Sequence, residues 1–348
     1  MMLKASYMIL NSKNLNELSD PLNEKALPLF ATKLLINHYS PTQQSICDSA
    51  WLYKYIILTQ EERRLLPANA QMKAGVFCNN VLQYYYANTI WKFGPQRKLT
   101  PTENKLRATD KQLIINQELA EFKSYEPVDD KDREKKEKYE DELLLVLNNG
   151  FAAMDDLNLS HHTVVSERQI SIDQSQSKLL VPIVGRTDFE LGNAGSSLPT
   201  FLTTGIVELK TIWSKVGKIK ANGDRSFISA KIPNKPSFNH LVQVAMYAAY
   251  HNFSVPVYLV YLTKDEYKIF DSSNCRELTQ EGLQHCFKIL CNTFRRREKI
   301  LAQYEDLTKE EIIKHAVAMI DPNFDHPFAW SNLSTEQLQH AKQLWNYQ

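Results

Sequence analysis

Three charged side chains stand where two apolar runs give out. One run, Val184-Gly185-Arg186-Thr187-Asp188, ends in a carboxylate; the other, Gly205-Ile206-Val207-Glu208-Leu209-Lys210-Thr211, carries a carboxylate and an amine two residues apart. β-Branched and apolar residues come first in both, so each reads as a buried strand running out to a charged end. Alternation along a strand puts Glu208 and Lys210 on one face, roughly 6 to 7 Å apart, and Leu209 in the opposite layer. If the Asp188 strand pairs beside it, the two carboxylates converge and raise each other's pKa unless a hard divalent cation sits between them. The pattern is that of a metal site with a lysine at its edge.

The elements that must position these groups are legible along the chain. Strand character begins at His162-Thr163-Val164-Val165, continues through Gln169 to Ile172, turns at Asp173 to Ser177 and resumes at Leu179 to Val184, a hairpin feeding Asp188. A Gly/Ser-rich loop, Gly192 to Ser197, leads to the strand of Glu208. Asn239 to Asn252 reads as a helix, and Val255 to Leu262 and Tyr267 to Phe270 as two more strands. Upstream, helices are expected over about 40–58, over about 70–93, and from Asp129 to the stop signal Asn148-Asn149-Gly150. The aromatic face Tyr84-Tyr85-Tyr86 is read as core packing ahead of base stacking. Downstream helices are expected over 278–302 and 308–320, with a last one starting at the N-cap Ser334 beside Glu336.

Composition sets outer limits. A chain of 348 residues with 43% apolar content can bury a substantial core, and 41 basic against 40 acidic residues leave almost no net charge. Any grip on a polyanion must therefore come from a local patch. No apolar run is long enough to span a bilayer, and the start lacks a signal-peptide pattern, so no membrane partner and a cytoplasmic location are expected. The cysteines, at 47, 78, 275, 286 and 291, are odd in number and form no Cys-x-x-Cys pair, which argues against a disulfide scaffold. No Gly-x-Gly-x-x-Gly or Walker-type loop is present.

Gln243 and Tyr247 lie four apart on one face of the helix after the Glu208 strand. The series Gly185-Arg186-Thr187-Asp188, Val207-Glu208-Leu209-Lys210 and Gln243-Val244-Ala245-Met246-Tyr247 resembles the PD-(D/E)XK nuclease superfamily in its RecB-like exonuclease branch, in order and approximate spacing, over roughly residues 40–275. The resemblance implies an α/β fold with a restriction-endonuclease-like core, a mixed sheet of about five strands flanked by helices. The implied layout is a helical N-terminal region (1–65), a core (66–303) with an insertion near 94–128, and a helical C-terminal extension (304–348).

It also implies roles. Asp188, Glu208 and the backbone carbonyl of Leu209 would hold one or two Mg2+ or Mn2+ ions. Lys210 would orient or deprotonate the attacking water or hold the phosphate, burial next to a cation lowering its pKa toward a useful base. Gln243 and Tyr247 would line the active site. The implied activity is metal-dependent DNA hydrolysis, exonucleolytic, in recombination, repair or replication, in a bacterial cell or phage-infected host, with a single-strand annealing protein or helicase as a partner. The alternatives are a DNA-binding protein with a degenerate site and a structure- or sequence-specific endonuclease.

Two departures from that branch stand out. Its usual histidine, four residues after a helix glycine, is here Asn79 after Gly75, a neutral oxygen donor suited to hard cations, with Gln83 one turn on. The close cysteine spacing of its cluster-bearing members is missing, so an iron–sulfur cluster is not expected. Glu167 in the hairpin is a further acid near the cleft, and His161 and His162 read as polar loop residues.

Substrate contacts are expected from the basic segment Lys215, Lys218, Lys220, Arg225, Lys231 and Lys235, a hairpin or loop beside the site, with Trp213 stacking on a base or anchoring on the core. His240, one turn before Gln243, is a candidate DNA contact. Arg295-Arg296-Arg297 is read as helix surface ahead of a second patch.

Overall fold

The strand that carries Glu208 and Lys210 runs through the middle of a mixed sheet. A computed structural model of the chain describes residues 27–87, 89–90, 111–194, 201–219, 225–326 and 328–347. The strands are β1 (Thr89–Ile90), β2 (Thr163–Ser166), β3 (Gln169–Ile172), β4 (Ile183–Arg186), β5 (Phe189–Gly192), β6 (Thr203–Thr211), β7 (Lys215–Ile219), β8 (Arg225–Ile228), β9 (Val257–Leu262) and β10 (Tyr267–Phe270). The longer helices are α1 (Ala70–Tyr86), α2 (Lys111–Ser124), α3 (Asp130–Asp156), α4 (Phe238–Tyr250), α5 (Gln280–Ala302), α6 (Lys309–Met319) and α7 (Thr335–Leu344). The main sheet has the order β1-β2-β5-β6-β9-β10, and β3-β4 and β7-β8 form separate two-stranded sheets. Strand β6 pairs antiparallel with β5 and parallel with β9, the latter through the crossover that contains α4. With β1 only two residues long, the sheet is close to the expected five strands.

Period-two alternation in β6 sorts its side chains into two layers. Val207 and Leu209 join a core with Phe77, Val81, Leu82, Leu143 and Val146 of α1 and α3. Ile206 joins the other core, with Leu241, Val244 and Ala248 of α4 and Leu290 and Phe294 of α5. Glu208 and Lys210 share the phase of Ile206, so they face α4. The N-terminal residues Phe30, Tyr39, Trp51 and Ile56 belong to that same second core, and Ala329, Trp330 and Ala341 close over Ala50 and Tyr53. Both described ends thus pack onto the body of the molecule.

Several expected boundaries move for identifiable reasons. Helix α1 ends at Tyr86, and Thr89–Ile90 pairs with β2 where helix was expected to 93. Helix α3 runs through the expected stop at Asn148-Asn149-Gly150 to Asp156. Gly150 serves there as a contact residue: a Cβ on it would lie 2.9 Å from Leu82 Cδ1 and 3.2 Å from Leu262 Cδ1. The segment 41–57 is a 3-10 turn, a short α-helix and a π turn in place of one helix. Residues 94–110 of the expected insertion lie outside the described residues, and α2 forms most of the rest. The last helix starts at Ser334 as expected, with Gln337 completing the capping box.

The arginine run on α5 has one internal member, Arg297, while Arg296 is exposed and Arg295 half-buried. Arg297 has a fully buried side chain bonded to Asp48 at 2.9 Å and to the Gln43 and Ile46 carbonyls, and Arg296 also pairs with Asp48 at 2.7 Å. Arg295 donates to the Ser177 carbonyl at 3.2 Å. Arg296 and Arg297 both pair with Asp48 of the N-terminal segment, but only Arg297 leaves the expected helix surface for the interior.

Candidate functional site

One bent hairpin carries the first acid. Strand β2 pairs with β5 in the main sheet, whereas β3 pairs with β4 in the small one, so the chain turns between sheets at Glu167-Arg168 on one arm and Thr187-Asp188 on the other. Glu167 N–H donates to the Thr187 carbonyl at 3.0 Å and Thr187 N–H to the Arg168 carbonyl at 3.1 Å, holding the bend closed. Glu167 sits at φ 58°, a left-handed value that a non-glycine residue adopts only when its surroundings impose it. Asp188 therefore heads β5 and does not end the preceding strand as expected: the break lies at Thr187.

The register then brings Asp188 onto β6. Pairing of β5 with β6 stops at Phe189 opposite Val207, leaving the next odd-numbered amide of β6 without a strand partner on that edge. Asp188 Oδ2 accepts the Leu209 N–H at 2.8 Å. Ile206 and Ile212 N–H point the other way, to carbonyls at the β9 edge, so the Leu209 carbonyl projects on the Asp188 side. Asn79 Nδ2, from α1, donates to Asp188 Oδ1 at 3.3 Å, and Gln83 Nε2, one turn on, donates to Glu167 Oε1 at 2.8 Å. The two carboxamides of α1 thus each face one acid of the bend.

Glu208 is buried, and its Oε1 accepts from Lys210 Nζ at 2.6 Å and from Gln243 Nε2 at 2.6 Å. Lys210 Nζ also donates to Gln243 Oε1 at 3.0 Å, and Gln243 Nε2 donates to Tyr247 Oη at 2.8 Å. Gly185 makes the last residue possible, since a Cβ there would come within 3.0 Å of Tyr247 Cε1 and 3.2 Å of Met246 Sδ. Gly185 also borders a cavity of about 360 Å³ lined by Asn37, His38, Ser40, Gln169, Val184 and Arg186. Asp188, Glu208, Lys210, Gln243, Tyr247 and Asn79 form one cluster.

Electrostatics inside the cluster follow from burial and crowding. Burial pushes the Asp188 carboxyl well above the carboxylate range and Glu208 adds to the shift, against a partial offset from Lys210 and the Leu209 N–H. For Lys210, burial opposes the charge, but Glu208 and Asp188 outweigh it and hold the ammonium above its usual range. Burial, aided by Glu208, keeps the Tyr247 hydroxyl protonated. Burial and the Lys210 charge push His240 down to about 3, and its Nδ1 lies 2.6 Å from Tyr261 Oη. The imidazole is thus neutral, half-buried and turned toward Tyr261.

The residues expected to hold substrate separate into three groups. Lys215, Lys218 and Lys231 are exposed, the first two on the β7-β8 hairpin, which forms as expected. Arg225 and Lys235 are engaged by acids, Arg225 with Glu134 at 2.8 Å and Lys235 with Glu277 at 3.7 Å, and Lys220 lies outside the described residues. Trp213 is buried against Tyr139, ring centroids 5.2 Å apart, with its Nε1–H donated to Thr211 at 3.0 Å. It anchors the hairpin on the core, which removes it as a stacking platform.

Among the described residues, no group of three or more His, Cys, Asp or Glu side chains is arranged to hold a metal ion. The donor set of the cluster nevertheless suits a hard cation in kind. Glu208 Oε2 and Asn79 Oδ1 are buried with no hydrogen-bond partner among the described residues, and both are oxygens that a hard divalent ion prefers. The free cysteines 78, 275, 286 and 291 are buried. No helix among the described residues is long and apolar enough to cross a membrane.

Sequence reasoning passed over Glu190. It is fully buried and accepts from Arg168 Nη1 at 2.9 Å, Thr203 Oγ1 at 2.7 Å and Thr187 Oγ1 at 3.3 Å. The signal was present, an acid inside the apolar strand Phe189-Glu190-Leu191 and in phase with Asp188. Compared with protein-family models, curated proteins and solved structures, the chain finds no match in any of the three.

Proposed function

We propose that the protein is a divalent-metal-dependent nuclease that hydrolyses DNA phosphodiester bonds, built on a PD-(D/E)XK-type core. The observation that carries this reading is the convergence of Asp188, Glu208, Lys210 and Gln243 in one partly buried cluster, with Glu208 Oε2 buried and without a hydrogen-bond partner among the described residues. Exonuclease activity, service in recombination, repair or replication, a phage or bacterial setting, and an annealing protein or helicase as partner rest on the resemblance of the motif series.

Asp188, Glu208 and the Leu209 carbonyl would hold Mg2+ or Mn2+, with Asn79 Oδ1 as a further oxygen. Bound there, such an ion polarises a phosphoryl oxygen and lowers the pKa of water. Lys210, at the edge of the two acids, would donate to a phosphate oxygen or orient the attacking water. Gln243 fixes both Lys210 and Glu208 through its two amide atoms, and the Tyr247 hydroxyl fixes Gln243.

A second reading has its own support. Direct pairing of Lys210 with Glu208 at 2.6 Å partly neutralises the pocket from within, as in a DNA-binding protein whose nuclease site is a relic. End-labelled single- and double-stranded DNA incubated with Mg2+, Mn2+ or chelator separates the two. Metal-dependent cleavage lost in Glu208→Ala and Lys210→Ala, with DNA binding kept, supports the enzyme; binding with no metal-dependent cleavage supports the relic. Cutting of closed circular DNA at fixed sites would mark a sequence-specific endonuclease.

A further inference from the structure

We propose that Glu190 is the positioning residue of the site: its buried carboxylate sets the bend that aims Asp188 and Glu167, and so sets the affinity for the divalent ion. The inference rests on the nuclease reading above and extends it to a residue outside the reacting cluster.

Every group that the structure turns toward Glu190 can donate to it. Arg168 Nη1 reaches Oε2 at 2.9 Å, Thr203 Oγ1 reaches Oε2 at 2.7 Å, Thr187 Oγ1 reaches Oε1 at 3.3 Å, and His251 Nε2 stands 3.6 Å from Oε2. Two of these belong to the bend itself, for Arg168 follows Glu167 and Thr187 precedes Asp188. Thr203 lies on β6, and His251 follows α4, whose Tyr250 ring lies 5.7 Å from the Arg168 guanidinium. Glu190 therefore ties both arms of the bent hairpin to the strand that bears Glu208, and Tyr250 and His251 bring the end of the Gln243 helix beside that junction.

An anion surrounded by donors cannot be replaced by its amide without cost. In Glu190→Gln the new NH2 meets either Arg168, which cannot accept, or a threonine hydroxyl that must turn round to accept, and in both cases the Arg168 charge loses its anionic partner on Glu190. The left-handed Glu167 is then free to relax, and Asp188 with it. Partners outside the ligand shell that orient ligands commonly alter metal affinity by roughly 10- to 100-fold.

The test measures Mn2+ binding to the folded protein from the paramagnetic resonance signal of free Mn2+, beside thermal unfolding in chelator. The expected result is a folded Glu190→Gln variant whose Mn2+ affinity falls roughly 10- to 100-fold and whose DNA cleavage recovers in part at high Mn2+. Thr203→Val, which removes one donor, shifts affinity the same way by less. A folded Glu190→Gln with wild-type Mn2+ affinity and a lower melting temperature overturns the proposal and leaves Glu190 a purely structural anion. If Glu190→Gln does not fold, unchanged affinity in Thr203→Val overturns it. Wild-type protein that binds no Mn2+ overturns the nuclease reading itself, a different outcome from either.

Discussion

Asp188 reaches past the start of β5 to take the Leu209 N–H at 2.8 Å, 21 residues away in sequence. That bond marks the point where the two-stranded β3-β4 sheet gives way to the main sheet, and it ties one acid of the cluster to the strand that carries the other.

Removing the Asp188 charge should stabilise the ion-free protein. Its folded-state pKa is raised, so the folded chain binds a proton more tightly than the unfolded one. Stability in chelator therefore falls as pH rises from the ordinary carboxylate value, roughly 3.9, to the raised one, and then levels off. Asp188→Asn keeps an acceptor for Leu209 and should gain on the order of 1 kcal/mol at pH 8 while losing cleavage. Calorimetry in chelator at pH 5 and pH 8 checks this; a variant less stable than wild type at pH 8 rules out the repulsion.

Gly185→Ala should damage the site from behind. Its methyl would sit 3.0 Å from Tyr247 Cε1 and 3.2 Å from Met246 Sδ, both in a packed core. Relief requires the Tyr247 ring to move and Gln243 to follow. We expect a loss of about 1 to 2 kcal/mol in stability, and a several-fold fall in kcat with little change in KM for DNA. Steady-state kinetics with wild-type kcat would show that Tyr247 does not position Gln243.

Arg297→Ala should unfasten the N-terminal segment. Its side chain is fully buried and makes one ion pair and two carbonyl bonds, so truncation empties that space, leaves two carbonyls unpaired and leaves Asp48 with Arg296 alone. The expected cost is about 3 to 5 kcal/mol, read as a lower urea midpoint, with cleavage at low temperature retained because the cluster lies on other elements. A midpoint within error of wild type contradicts the staple.

DNA binding should depend most on the exposed lysines that no acid engages. Replacing Lys215, Lys218 and Lys231 together with Ala should flatten the log–log salt dependence of binding by about 2 to 3 and leave the melting temperature unchanged. Arg225→Ala, which removes a residue already paired with Glu134, should change the slope far less. Equal slopes for the triple variant and the wild type would move the DNA path elsewhere.

Much of this was legible beforehand because it depends on local periodicity. Alternation in Ile206-Val207-Glu208-Leu209-Lys210 predicted which side chains share a face, and helical spacing put Gln243 and Tyr247 together. Glycine was misread where its use was tertiary: Gly150 resembled a helix stop but allows α3 to approach Leu82 and Leu262. Basic residues were misread likewise, because charge in a sequence does not say whether Arg297 or Arg225 already has an acid across from it.

By itself the sequence determined the strand that bears Glu208 and Lys210, the helix that bears Gln243, and the face each side chain takes, since those follow from backbone geometry repeated every two or 3.6 residues. Only the tertiary structure decided that Asp188 opens a new strand, that Lys210 is paired with Glu208, and that Glu190 holds the bend between sheets. Those depend on register and on contacts between residues far apart in the chain, for which no short stretch carries a signal.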